Sequence, residues 1–207
     1  MKTVCILLLL SISLQAQEWT PLYNGENLDG WEHVGPGNFI IEDGILKSQG
    51  GMGLLWFTGQ KFSNVTLRVV YKGADKNNAG VFIRIPEKPT EAWMPVHKGY
   101  EVQIDDREDE WHKTGVLYSL TKAKASPGKP GEWNTMEITL KGDRTIVHVN
   151  GVLVTDFTEG DTVPKKTLEY EPDRGPRPEI GYIGIQNHGD KDVIEFKEVS
   201  YKKIEDK

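Results

Sequence analysis

Along Tyr100-Glu101-Val102-Gln103-Ile104-Asp105 polar and apolar residues alternate. In an extended strand, Glu101, Gln103 and Asp105 therefore project from one face while Tyr100, Val102 and Ile104 pack on the other. Successive polar groups then stand roughly 7 Å apart, the spread of hydroxyls around a sugar ring. A carboxylate among them can also move a proton. An outer strand face open to bulk water shows the same alternation, so this segment needs support from the rest of the chain.

Other segments carry a similar mixture. In Gly80-Val81-Phe82-Ile83-Arg84-Ile85, regular alternation turns Val81, Ile83 and Ile85 one way and Phe82 with Arg84 the other. Arg84 can then hold a carboxylate or a sugar hydroxyl, or form a structural salt bridge to Glu101 or Asp105. Near the C-terminus, Tyr182, Gly184, Gln186 and His188 fall in register on one face. Gln186 and His188 can bind hydroxyls there, and His188 can also exchange protons near neutral pH; a surface histidine at a loop end is the alternative.

The acidic run of residues 105–112 lacks the sixth-position Gly and terminal Glu of an EF-hand loop and reads as solvated rather than calcium-binding. Within it Trp111 offers a stacking face for a sugar beside His112, although both can equally pack under the loop. Trp93 has the same two readings. No spacing specifies a cofactor; a divalent metal stays open.

These side chains need a scaffold of strands. Short alternating runs bounded by Gly, Asp and Asn recur along the chain without a sustained helical stripe. Asp43-Gly44 and Asn150-Gly151, each between apolar arms, predict tight hairpins. Further strands are expected at residues 64–71, 80–85, 100–104, 115–119, 134–141, 180–186 and 193–201, giving two packed antiparallel sheets. Residues 87–98 and 158–178 form long Pro-containing connections, and ordered loops of that length often carry function.

Residues 1–16 pair a basic start with a short apolar run and a small-residue boundary, the pattern of a secretory signal, so the chain is expected to be exported, periplasmic or extracellular. The apolar run is too short for a stable membrane span. Residues 17–207 then form one domain. The chain's single cysteine, Cys5, is lost with the signal, which excludes thiolate catalysis and zinc-thiolate sites. A net charge of −6 with no dense basic patch argues against nucleic acid and favours a small-molecule or oligosaccharide substrate.

Several segments together resemble the 3-keto-disaccharide hydrolase domain family. They are residues 22–31 and 39–46, Asn78-Ala79-Gly80-Val81-Phe82-Ile83-Arg84, Tyr100-Glu101-Val102-Gln103-Ile104-Asp105, Thr114-Gly115-Val116-Leu117-Tyr118, Gly131-Glu132-Trp133-Asn134, Val149-Asn150-Gly151 and Gly184-Ile185-Gln186-Asn187-His188-Gly189. The resemblance covers nearly all of the mature chain. It implies an all-β, concanavalin A-like jelly-roll β-sandwich of two antiparallel sheets, and a hydrolase or lyase acting on glycosides already oxidised to a ketone at C3.

In that chemistry the ketone acidifies the C2 proton, a base removes it, the C1 substituent leaves, and water adds to the enone. The residue types suit it, with Glu101 as base and Asp105 or His112 as acid. Arg84, Gln103 or a bound cation would face the enolate oxygen. Gln103, Arg84, Tyr118, Trp111, Gln186 and His188 are the expected substrate-binding set. An ordinary glycoside hydrolase and a non-catalytic carbohydrate-binding module are the competing readings.

Overall fold

The computed structural model describes residues 18–107 and 109–204. The proposed signal segment, residues 1–16, lies outside the described residues. Among those described, no helix is long and apolar enough to cross a membrane.

Thirteen strands and one short helix follow in chain order: β1 (Thr20–Pro21), β2 (Trp31–Val34), β3 (Asn38–Glu42), β4 (Ile45–Gln49), β5 (Gly53–Phe57), β6 (Val65–Gly73), β7 (Ala79–Ile85), α1 (Met94–Lys98), β8 (Tyr100–Ile104), β9 (Asn134–Lys141), β10 (Arg144–Val149), β11 (Val152–Thr158), β12 (Tyr182–Asn187) and β13 (Ile194–Lys203). They form two antiparallel sheets, as expected from the alternation. The larger has eight strands in the order β11-β10-β9-β6-β13-β4-β3, with β1 beside β13; the smaller has five in the order β2-β5-β12-β7-β8.

The two sheets differ in what covers them. In β9, Met136, Ile138 and Leu140 enter the core while Thr135, Glu137 and Thr139 stay partly wet, the pattern of a sheet solvated on one side. Every residue of β7 is buried, so both faces of the five-stranded sheet are covered there. Val81 and Ile83 join the core between the sheets. Phe82 and Ile85 pack with Leu54 and Trp56 on the opposite face, under Met94 and Val96 of α1. The long connection of residues 87–98 is thus a partial roof over that face.

Both predicted tight turns form. Asp43 and Gly44 have φ of 52° and 76°, Asn150 and Gly151 of 50° and 78°, the paired positive values of a type I′ hairpin. Residues 115–119 differ from expectation. They run beside β8 through backbone bonds such as Gln103 N–H to Val116 O at 3.0 Å and Tyr118 N–H to Glu101 O at 3.0 Å. Positive φ at Gly115 (91°) and Ser119 (56°) prevents a continuous strand. This irregular segment still covers the outer edge of β8, so the strand bearing the polar row is held from both sides.

Arg84 requires a correction. Its φ is 54°, and one residue of β12, Ile183, opposes two of β7, Ile83 and Arg84, since Tyr182 pairs with Ile85 and Gly184 with Phe82. The bulge breaks the alternation, so Ile85 joins Phe82 and Arg84 turns toward the other sheet. There its guanidinium donates to Gly142 O at 2.8 Å, Arg144 O at 3.1 Å, Pro178 O at 3.1 Å and Thr145 Oγ1 at 3.2 Å. It bonds neither Glu101 nor Asp105, and serves as a buried tie between the sheets. Gly181 accommodates the bulge, because a Cβ at that position would meet Arg84 Cα at 2.4 Å.

Candidate active site

On the roofed face of the smaller sheet, β8 and β12 present Glu101, Gln103 and Gln186 to a cavity of roughly 220 Å³. Pockets for drug-sized ligands run about 300–1,000 Å³, so this one suits a single ring. His112, Tyr118 and His188 also line it. The sequence therefore brought six of its nine candidate residues to one place. Arg84 is elsewhere, and neither Asp105 nor Trp111 lines the cavity.

Asp105 is fully buried, and Oδ2 accepts Arg107 Nε–H at 2.6 Å while Oδ1 accepts the Arg107 backbone N–H at 2.9 Å. Arg107 reaches the cavity while Asp105 is engaged behind it. Trp111 sits under the Lys122 ammonium, 5.1 Å from its ring centre. Both deviations come from the chain leaving regular strand geometry after Ile104, where period-two reasoning no longer applies.

Glu101 has the most unusual environment. Burial pushes its carboxyl up to about 8; the neighbouring Gln186 amide pulls it down and the Asp105 charge pushes it further up. Its side chain lies along β7 over Gly80, where an added Cβ would meet Glu101 Cγ at 2.5 Å and Oε1 at 2.6 Å. Gly80 is the space that lets a carboxyl lie flat on the sheet.

Each of the two glutamines at the cavity carries a buried acceptor without a protein partner. Gln103 Nε2 donates to Asn78 Oδ1 at 2.7 Å, leaving its Oε1 without a protein partner. Gln186 Oε1 is likewise unpartnered, and both residues are about 98–99% buried by their exposures of 1% and 2%. Buried acceptors of this kind call for donors from water or ligand, and hydroxyl groups supply them. The same geometry removes Gln103 Oε1 as an enolate stabiliser, because an oxyanion needs a donor.

Each histidine is steadied by an aspartate. His112 Nδ1 lies 2.7 Å from Asp109 Oδ2, and its ring packs against Tyr118 with centroids 5.2 Å apart. Asp109 is held below the usual carboxylate range first by the Trp111 backbone N–H and then by His112. His188 Nδ1 lies 2.9 Å from Asp192 Oδ2, whose Oδ1 accepts the Asn78 N–H at 3.0 Å. In both rings Nε2 is the nitrogen left for other partners. Burial, with the Glu101 charge, raises the Tyr118 phenol to about 12, so it stays an O–H donor.

Asn78, Arg107, Trp93, Val96 and Tyr170 complete the lining. Trp93 had been singled out in sequence without a place; Tyr170 had no local signal beyond its position in the second long connection. Among the described residues, no group of three or more His, Cys, Asp or Glu side chains is arranged to hold a metal ion.

Comparison places this architecture among known proteins. A candidate glycosyl hydrolase from Parabacteroides distasonis is 24% identical, with a TM-score of 0.74 over 90% of this chain and 94% of its own. A Bacillus subtilis protein of unknown function with a galectin-like fold is 13% identical, with a TM-score of 0.66 over 90% and 94%. The carbohydrate-binding module CBM66 from Bacillus subtilis is 15% identical, with a TM-score of 0.57 over 84% and 95%. At these identities the likeness is one of fold, the jelly-roll sandwich. No curated protein matches the sequence. The family described as the 3-keto-alpha-glucoside-1,2-lyase-like domain matches residues 18–205, and the chain belongs to it.

Proposed function

We propose that the cavity cleaves 3-keto-glycosides by elimination, with Glu101 as the base that takes the C2 proton. The observation that carries this reading is that Glu101 is the only carboxylate among the described residues lining the cavity. Direct displacement at the anomeric carbon ordinarily needs two carboxyl groups across the scissile bond. Elimination beside a ketone needs one base of suitable pKa, and a value near the working pH is the favourable one. The family's name and the fold shared with a carbohydrate-binding module support a sugar ligand.

In the reaction, Glu101 removes the proton at C2 and the electron pair moves toward the C3 carbonyl, forming an enolate. The Tyr118 O–H donates to the enolate oxygen. The pair then returns to form C1=C2 as the C1–O bond breaks, and His112, steadied by Asp109, protonates the departing oxygen. Water then adds its hydroxyl to C1 of the resulting enone while His112 takes the water's other proton, and Glu101 returns its proton to C2, so both residues regain their starting states. Gln103 and Gln186 receive the remaining ring hydroxyls.

The decisive experiment compares 3-keto-glucosides with their unoxidised parents, with and without chelator. Turnover is expected for the ketones alone, and cleavage of only the parents would overturn the proposal. The chelator arm reads whether a divalent cation takes part.

A base with a pKa near 8 is about one-tenth ionised at pH 7. At the acid end of the profile, kcat/KM for a 3-keto-glucoside should therefore climb about tenfold per pH unit as Glu101 ionises, and Glu101→Gln should abolish that limb. A rising limb that survives unchanged in Glu101→Gln would mean that another group is the base.

Gly80→Ala tests the seat of that carboxyl. The new methyl must push Glu101 away from β7, and a displacement of this order costs about 10²-fold in turnover. Circular dichroism should show an intact sandwich; unchanged kcat would mean that the packing of Glu101 over Gly80 does not position the base.

A further inference from the structure

Two aromatic side chains at the cavity have no role in the chemistry above. Trp93 is 43% exposed and Tyr170 is 53% exposed, among the most exposed large hydrophobic residues described, yet both line the cavity. They come from different connections, Trp93 immediately before α1 and Tyr170 from the segment between β11 and β12. Two exposed aromatics at one cavity rim offer apolar faces that a bound ligand can cover.

Both are carried on anchored backbone. Beside Trp93, Met94, Pro95 and Val96 are buried against the sheet, and the indole packs near His97 with centroids 6.4 Å apart and planes 30° from parallel. Beside Tyr170, Glu171 accepts Thr167 Oγ1–H at 3.0 Å and Arg174 Nη2–H at 2.9 Å. A ligand therefore meets two preplaced rings at little ordering cost.

Of the polar lining residues, Glu101, Gln103 and Gln186 stand on the strands of the sheet, and a cavity of roughly 220 Å³ is filled by one sugar ring seated on them. The group attached at C1 must then extend toward the rim.

We infer that Trp93 and Tyr170 form an aglycone subsite that takes a flat ring, an aryl group most favourably and the C–H face of a second sugar less so. This rests on the proposed function and adds the class of leaving group. A small alkyl aglycone such as methyl would leave both aromatic rings uncovered.

The test compares phenyl, glucosyl and methyl 3-keto-glucosides in wild type, Trp93→Ala, Tyr170→Ala and Trp93→Phe. Each alanine variant should lower kcat/KM for the phenyl substrate by roughly 3- to 10-fold more than for the methyl one. The glucosyl substrate should fall between them, and Trp93→Phe should recover most of the difference. An equal loss on all three substrates would overturn the subsite.

A second arm separates this inference from the chemistry. Unoxidised phenyl and methyl glucosides are titrated calorimetrically into wild type and the same variants. Tighter binding of the phenyl compound, lost in either alanine variant, supports the platform even if no ketone is turned over. Equal affinity of the two glucosides for wild type would overturn it whatever the ketone assay gives. Failure of the ketone assay alone would count against the proposed reaction.

Discussion

Glu101→Gln should lower kcat for a 3-keto-glucoside by about 10²–10⁴-fold, the usual contribution of a positioned base, and at pH 9 should make the protein more stable than wild type. Both effects follow from one cause. The folded protein holds the Glu101 proton up to about pH 8, whereas an ordinary glutamate releases it near 4.5. Between those values the native state binds more protons than the unfolded chain, so stability falls as pH rises. The contribution is fully present below about 4.5, and roughly 4–5 kcal/mol is gone above 8. Glutamine keeps the shape without the ionisation. Urea unfolding at pH 5 and pH 9 reads the difference: the variant's advantage should grow across that interval. A gap of equal size at both pH values would show that Glu101 does not ionise against its surroundings.

Arg84→Ala should cost about 3–5 kcal/mol of stability while leaving turnover per folded molecule close to wild type. The guanidinium satisfies carbonyls of Gly142, Arg144 and Pro178 in a place water cannot easily replace it. Its removal both strands those acceptors and opens a void between the sheets. The urea midpoint should drop with little change in slope. Normal stability with lost activity would mean that Arg84 acts at the cavity after all.

The contrast between Arg84 and Gln103 shows what the sequence makes legible. Within an unbroken strand, period two is dictated by backbone geometry, so Glu101, Gln103 and Gln186 could be assigned to a face by counting alone. The same counting fails at Arg84 because a positive φ adds a residue to one strand, which the register against β12 shows and no residue type announces. Glycines at 80 and 181 act across the sheet on partners distant in sequence, a relation that spacing does not encode. Asp105 and Trp111 lie past the end of β8, where each side chain points where its loop sends it. Trp93 and Tyr170 meet at the cavity only because two long connections fold over the same face. Their length gave notice of function without giving position.

The cavity draws its floor from paired strands and its rim from those two connections. Paired strands tolerate little change in length, because a one-residue slip turns every side chain over. Connections accept insertions and exchanges at small cost. On the proposed reading, the base on β8 and the aromatic rim therefore belong to separable parts of the chain. On that reading, grafting the exposed parts of residues 87–98 and 158–178, with Met94 and Val96 kept against the sheet, should alter the preferred leaving group while Glu101 stays in place.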